Sequence, residues 1–159
     1  MQPGYSFLQL QSLVSAAYPN RRTAIEPFSH PIDFADCALS SNYVTTYKVL
    51  SNCDFWVTNI TYLSTDSGGN PQGANGVFLQ IEDTGVQERL FYQPVPIINA
   101  AQSIGNASQQ IGFALDAPRR IAGNSTLQIS IETPAASESF TAPSDIQIVL
   151  HGVNVYAYS

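Results

Sequence analysis

Charge is scarce in this sequence. Asp, Glu, Lys and Arg make up 11% of the 159 residues, less than half the usual share of about 25%. Lysine occurs once, at Lys48, and the only adjacent basic pairs are Arg21-Arg22 and Arg119-Arg120. Neutralising nucleic-acid phosphates takes clustered Lys and Arg, and so does holding an anionic membrane surface. With a formal net charge of −6, direct nucleic-acid binding and a membrane-surface role are both disfavoured. No apolar run approaches the roughly 18 residues that cross a bilayer. The N-terminal "MQPGYSFLQLQSLVSAAYPNRR" has no basic segment ahead of its apolar part, which Gln9, Gln11 and Ser12 interrupt. It does not read as a signal peptide.

Cysteine and histidine are equally sparse, with two of each. Two cysteines, Cys37 and Cys53, do not make a disulfide framework in a chain of this length and are expected as free thiols. His30 and His151 lie far apart in the sequence. Asp33 and Asp36 stand near His30, but no HxxxH, HExxH or CxxC spacing supports a metal site. There is no Gly-X-Ser-X-Gly elbow and no dinucleotide or phosphate loop. The loop "DSGGNPQGANG" offers Asp66, Asn70 and Asn75 to a calcium ion, yet lacks the carboxylate density such sites use. No metal, cofactor or catalytic residue is expected. Sequons at Asn59, Asn106 and Asn124 are what a chain rich in Ser, Thr and Asn carries by chance.

One motif invites an enzymatic reading. "QIEDTGVQE" (80–88) holds Asp83-Thr84-Gly85, the tripeptide of aspartic proteases. That chemistry needs two carboxylates sharing a proton, so a single copy would have to dimerise. The flanks do not fit a buried catalytic loop, because Glu82 precedes the Asp and a buried charge there is costly. Asp and Gly at a strand end fit a turn better.

Hydrophobic residues, by contrast, reach the ordinary share at 44%. A chain this long buries about 70% of its unfolded surface, enough for one core without staples. The first 40 residues, with Pro3, Pro19, Pro27 and Pro31, show no sustained period and read as an extended arm. Tyr5, Phe7, Leu8, Leu10, Tyr18 and Phe28 give the arm apolar anchors that a disordered tail lacks. Residues 41–159 then read as one β domain. Strands are expected at 43–50, 54–63, 77–83, 89–98, 109–116, 125–132 and 145–158. In 54–63 strict alternation puts Phe55, Val57, Asn59 and Thr61 on one face. "APRRIAGN" (117–124) reads as a turn, Pro94 and Pro96 mark an edge, and Gly152 marks a bulge. No amphipathic helix of the usual length stands out. The expected fold is all-β: an antiparallel two-sheet β-sandwich, jelly-roll-like, of about eight strands, with an extended N-terminal arm.

Three stretches taken together, "RLFYQPVPI" (89–97), "APRRIAGNSTLQISIE" (117–132) and "IQIVLHGVNVYAY" (146–158), resemble small virion proteins of tailed bacteriophages. The last contains an apolar residue, Leu150, then Gly152 and an aromatic, Tyr156, in the spacing with which such chains often close. The resemblance covers roughly residues 54–158. It implies a jelly-roll capsid cement or decoration protein, or a head-tail or tail accessory of the same fold; the net negative charge argues for a place on the outside of the phage head, away from packaged phosphates. The resemblance also implies the major capsid protein or other virion proteins as partners and location in the virion; a homo-oligomer, dimer or trimer, is expected because self-associating subunits usually close symmetrically. The resemblance carries over no catalytic residue. The charge-poor surface agrees, since it repels neighbouring subunits weakly. A carbohydrate-binding module, with a sugar site near residues 64–76, is the alternative from another class.

Overall fold

The computed structural model describes residues 5–103, 114–136 and 140–158. Two β-sheets face one another across a core. The first contains β1 (Arg22–Cys37), β10 (Ser144–Tyr158) and β3 (Asp54–Asp66), paired antiparallel in that order. The far side of β3 takes β8 (Ala114–Ile121) at one end, antiparallel, and the two-residue β7 (Gln102–Ser103) at the other, parallel. The second sheet contains β2 (Asn42–Lys48), β9 (Thr126–Glu132) and β4 (Phe78–Asp83), with β5 (Glu88–Arg89) and β6 (Val95–Pro96) on the edge of β4.

The connectivity is that of a jelly roll. Strand β1 pairs with β10, β2 with β9, β3 with β8, and β4 with β5. Each pair nests inside the previous one, so the chain is one long hairpin wrapped into two sheets. The core follows from period-two alternation. Leu79 and Ile81 from β4, Leu127, Ile129 and Ile131 from β9, and Ile146, Ile148 and Leu150 from β10 all point inward, at 0–1% exposure. Burying each such side chain stabilises the fold by about 1.5–3 kcal/mol.

Alternation fails near the end of β1, between Phe34 and Cys37, and again in β3. Phe55 and Val57 face the core, then Thr58 is inserted as an extra residue opposite the His151–Gly152 step. Beyond it Ile60, Tyr62 and Ser64 turn inward, where strict alternation points Asn59 and Thr61. The Thr58 hydroxyl donates to the His151 carbonyl at 3.2 Å. Gly152 does lie at the bulge: a Cβ there would sit 1.9 Å from the Trp56 carbonyl oxygen.

The N-terminal stretch differs from the extended arm expected of the sequence. Phe7–Ala17 form α1, and Arg22–Cys37 form β1, a full edge strand of the first sheet. Ser6 caps α1: its hydroxyl accepts from the Gln9 amide at 3.3 Å, and the Gln9 side chain accepts from the Ser6 amide at 2.8 Å. This reciprocal box satisfies two amides that the first turn leaves free. Pro27 and Pro31 do not break β1, because an edge strand tolerates residues without an outward amide.

Two further expectations shift. Residues 89–98 do not form one strand: Arg89 ends β5, Val95–Pro96 form β6, and Ile97–Ala100 make the single helical turn α2. Of the strand expected at 109–116, residues 109–113 lie outside the described residues. From Ala114 the strand continues through "APRRI", and the turn comes later, at Ala122–Ser125, with Asn124 at φ 69°.

Candidate functional site: the helix-bearing face and the strand edges

Helix α1 lies on the outer face of the first sheet. Leu10, Val14 and Tyr18, spaced four apart, meet Trp56 from β3 and Val153 and Val155 from β10 in a second apolar cluster. The rest of the circumference of α1 faces solvent. Phe7 is 58% exposed, Leu8 75% and Leu13 41%. The six expected anchors therefore separate. Leu10 and Tyr18 are buried in the chain's own fold, and Tyr5 packs beside them with its hydroxyl donating to the Leu115 carbonyl at 2.8 Å. Phe28 packs between the sheets, edge-on to Phe55 with ring centres 5.4 Å apart. Only Phe7 and Leu8 of the six point outward. Leu13, which is not among the expected anchors, is exposed as well; by helical spacing Leu8 lies on the far side of α1, while Phe7 and Leu13 flank the buried Leu10–Val14 stripe on either side.

A polar cluster fastens the end of α1. The Asp54 carboxylate accepts bonds from the Tyr18 hydroxyl, the Gly123 amide at 2.8 Å and the Arg120 guanidinium at 2.8 Å. The guanidinium carbon also stands 4.7 Å from the centre of the Tyr18 ring, within cation–π range. Burial alone would raise the Asp54 pKa. The bonds donated by Tyr18, Gly123 and Arg120 outweigh it and hold the carboxyl below the usual aspartate value. Gly123 is needed here, because a Cβ would lie 2.6 Å from the Cys53 carbonyl oxygen.

The residues that carry enzymatic readings sit in ordinary structural places. Asp83 is 3% exposed at the end of β4, and its carboxylate accepts from the Gly85 amide at 2.9 Å. The Thr84 amide and hydroxyl both donate to the Thr126 carbonyl, each at 2.9 Å. Asp-Thr-Gly is thus a turn held by its own carboxylate and by β9. His151 is flanked by Ser29 at 2.9 Å on Nδ1 and Thr61 at 2.8 Å on Nε2. With a hydroxyl on each nitrogen, and so no carboxylate to orient it, the ring is a bridge between strands and not a triad base. His30 stacks on Tyr47 with ring centres 3.7 Å apart, joining β1 to β2 across the side of the sandwich. Burial lowers the pKa of both histidines, so the neutral ring is favoured.

Cys37 and Cys53 are both free and buried. They stand at opposite ends of β10, Cys37 beside Ser144 and Cys53 next to the Asp54–Val155 pair. Burial, with Asp145 and Asp36 nearby, pushes the Cys37 thiol up to about 11, far from the thiolate a reactive cysteine needs. Asp66 in the 64–76 loop accepts from the amides of Gly68 and Asn70, each at 2.9 Å, and from the Asn70 side chain. Its oxygens are turned to the chain's own donors. No group of three or more His, Cys, Asp or Glu suited to a metal occurs among the described residues, and no described helix is long and apolar enough to cross a membrane.

The two sheets end in different edges. β1 carries Pro27 and Pro31 along its free side. β2, "NYVTTYK", has no proline and leaves Val44 55% exposed. Bonds from the Thr133 amide to the Ser41 carbonyl and from the Val49 amide to the Ser125 carbonyl fix its phase. Odd-numbered residues bond toward β9, so the backbone groups of Asn42, Val44, Thr46 and Lys48 face the free edge.

No model of a known protein family matches the chain, and no curated protein matches it either. Among solved structures it is similar to a chain of the cyanophage Pam1 capsid asymmetric unit, at 15% identity and TM-score 0.45, over 98% of this chain and 91% of that one. It is also similar to the VP2 subviral particle of infectious bursal disease virus, at 9% identity and TM-score 0.35. There it spans 89% of its own length and 38% of the other chain.

Proposed function

We propose that this chain is a structural virion protein, a cement or decoration subunit on the outside of a tailed-phage head. It binds the major capsid protein and its own copies. The observation that carries the reading is α1, where Phe7, Leu8 and Leu13 stand exposed around a helix whose Leu10–Val14 stripe is already buried. Three large apolar side chains left exposed on one short helix mark it as a contact element. Three further features support it. The surface is poor in charge, with 11% charged residues. The wrapped-hairpin sandwich is a fold that virion shells use widely. The net charge of −6 suits a position away from packaged phosphates. On this reading the protein performs no chemistry and adds buried area between shell subunits.

The test is co-sedimentation with purified heads of the virus that encodes it, stripped of accessory proteins. The native chain is expected to pellet with heads at a fixed stoichiometry. Phe7→Ser with Leu8→Ser is expected to weaken that binding at least about tenfold, since two apolar side chains would no longer be buried against the shell, with the melting temperature unchanged. Binding to tails and not to heads would shift the reading to a tail accessory. Binding to neither would overturn it.

A further inference from the structure

We infer that the free edge of β2 is a self-pairing edge, which joins a second copy of this chain by antiparallel β2–β2 addition. Such pairing deepens the self-association in the proposed function and rests on that reading only for its biological setting. The edges formed by β1 and β2 are treated differently by the sequence. Pro27 and Pro31 remove hydrogen-bond donors from β1, a common guard against strand addition. β2 has no such guard and consists of strand-favouring residues, and the backbone groups of its four even-numbered residues face outward, away from β9, with no strand beside them among the described residues.

The phase of those groups selects a register. For two copies to exchange N–H···O bonds, even residues must oppose even residues. A two-fold axis at Thr45 does this, setting Val44 against Thr46 of the second copy and Asn42 against Lys48. The exposed Val44 side chains of the two copies then become diagonal neighbours on one face, a spacing of about 7–8 Å. Lysine on an edge usually repels strand addition. Here the sole lysine, Lys48, stands at the strand end and meets Asn42 of the other copy. Asn42 is itself the cross-strand neighbour of Glu132. Each Lys48 thus comes within side-chain reach of the second copy's Glu132, for which no ion pair occurs among the described residues. The pairing is self-complementary in hydrogen bonds, shape and charge, as an isologous contact requires.

Thr45→Cys in the full chain tests the register. The two substituted positions would face each other across a non-bonded pair about 4.5 Å apart, near enough for a disulfide. Under mild oxidation this variant is expected to give a covalent dimer, while Thr23→Cys on the guarded β1 edge stays monomeric. Lys48→Glu is expected to reduce dimer formation about tenfold, because the two-fold axis removes two ion pairs at once. Lys48→Glu combined with Glu132→Lys is expected to restore it. A monomeric Thr45→Cys chain, or cross-linking indifferent to Lys48→Glu, would overturn the inference. Head binding is scored separately: heads decorated by a chain that never pairs through β2 would overturn this edge contact and leave the virion role standing.

Discussion

The two outer faces of the sandwich solve opposite problems. On the first sheet, β3 and β10 turn Trp56, Val153 and Val155 outward, and the chain covers them with its own helix. On the second sheet, the outward rows are Asn42–Glu132–Phe78, Val44–Ser130–Gln80 and Thr46–Gln128–Glu82. They are mostly amides, hydroxyls and carboxylates, and no described helix covers them. One face spends apolar residues on fastening the N-terminus. The other stays mostly open, apart from Gln80, whose side chain donates to the Phe91 carbonyl, and ends in an unguarded edge. The contrast means that equal substitutions on the two faces should have unequal effects on stability.

The largest effect is expected where the covered face has no room. Gly152→Ala would force a Cβ against the Trp56 carbonyl, 1.9 Å away. Closing that clash means abandoning the bulge at Thr58, which re-aims Ile60 and Tyr62 into the core. A loss of about 4 kcal/mol or more is expected, the range of severe core disruption. Urea denaturation measures it, and a variant within about 1 kcal/mol of the native chain, the ordinary cost of a substitution, would break the account of the bulge.

Next comes the seat of the helix. Leu10→Ala removes a side chain 7% exposed from the small cluster, and about 2–3 kcal/mol is expected to go with it. Hydrogen exchange should show α1 opening before the sheets in this variant. The cluster is separate from the main core, so its loss should loosen one element ahead of the whole.

A smaller effect is expected at Asp54. Asp54→Asn weakens the bonds from Arg120 and Tyr18 while keeping shape, at about 1–2 kcal/mol near neutral pH. The pH profile carries the sharper signature. Asp54 has a depressed pKa in the folded chain. Its contribution is therefore complete above the unfolded value of about 3.9 and is lost as pH falls through the folded value. The native chain should lose helix attachment in acid below that point. The Asn variant should lack this part of the acid profile.

What the sequence made legible and what it hid divide along the same faces. Strands β2, β4, β9 and β10 could be read closely because simple alternation decides them. Val77, Leu79 and Ile81 are all fully buried, as their spacing requires. Helix α1 was hidden because its apolar residues lie on both sides: Phe7, Leu8 and Leu13 blur the stripe made by Leu10 and Val14. β1 was hidden by its prolines, which read as breaks until the strand is known to be an edge. The faces of β3 were misassigned after Thr58, since one extra residue inverts everything beyond it. The division of anchor residues into Leu10 and Tyr18 inward and Phe7 and Leu8 outward is a property of the helix, so it could not appear while that stretch read as extended.

The smallest effect is expected on the open face, and it sharpens the comparison by being small. Gln128 lies in the middle of β9, opposite Thr46 and Glu82, with its side chain exposed. Its neighbour Ile129 is fully buried on the other side of the same strand. Gln128→Ala removes only solvated groups and should change stability by no more than about 0.5 kcal/mol. Ile129→Ala, one residue along, should cost about 2–5 kcal/mol. If Gln128→Ala were also costly in isolated chains, the outer face of the second sheet would already be covered in solution. A contact over that face, and not only pairing at the β2 edge, would then have to be part of the assembly.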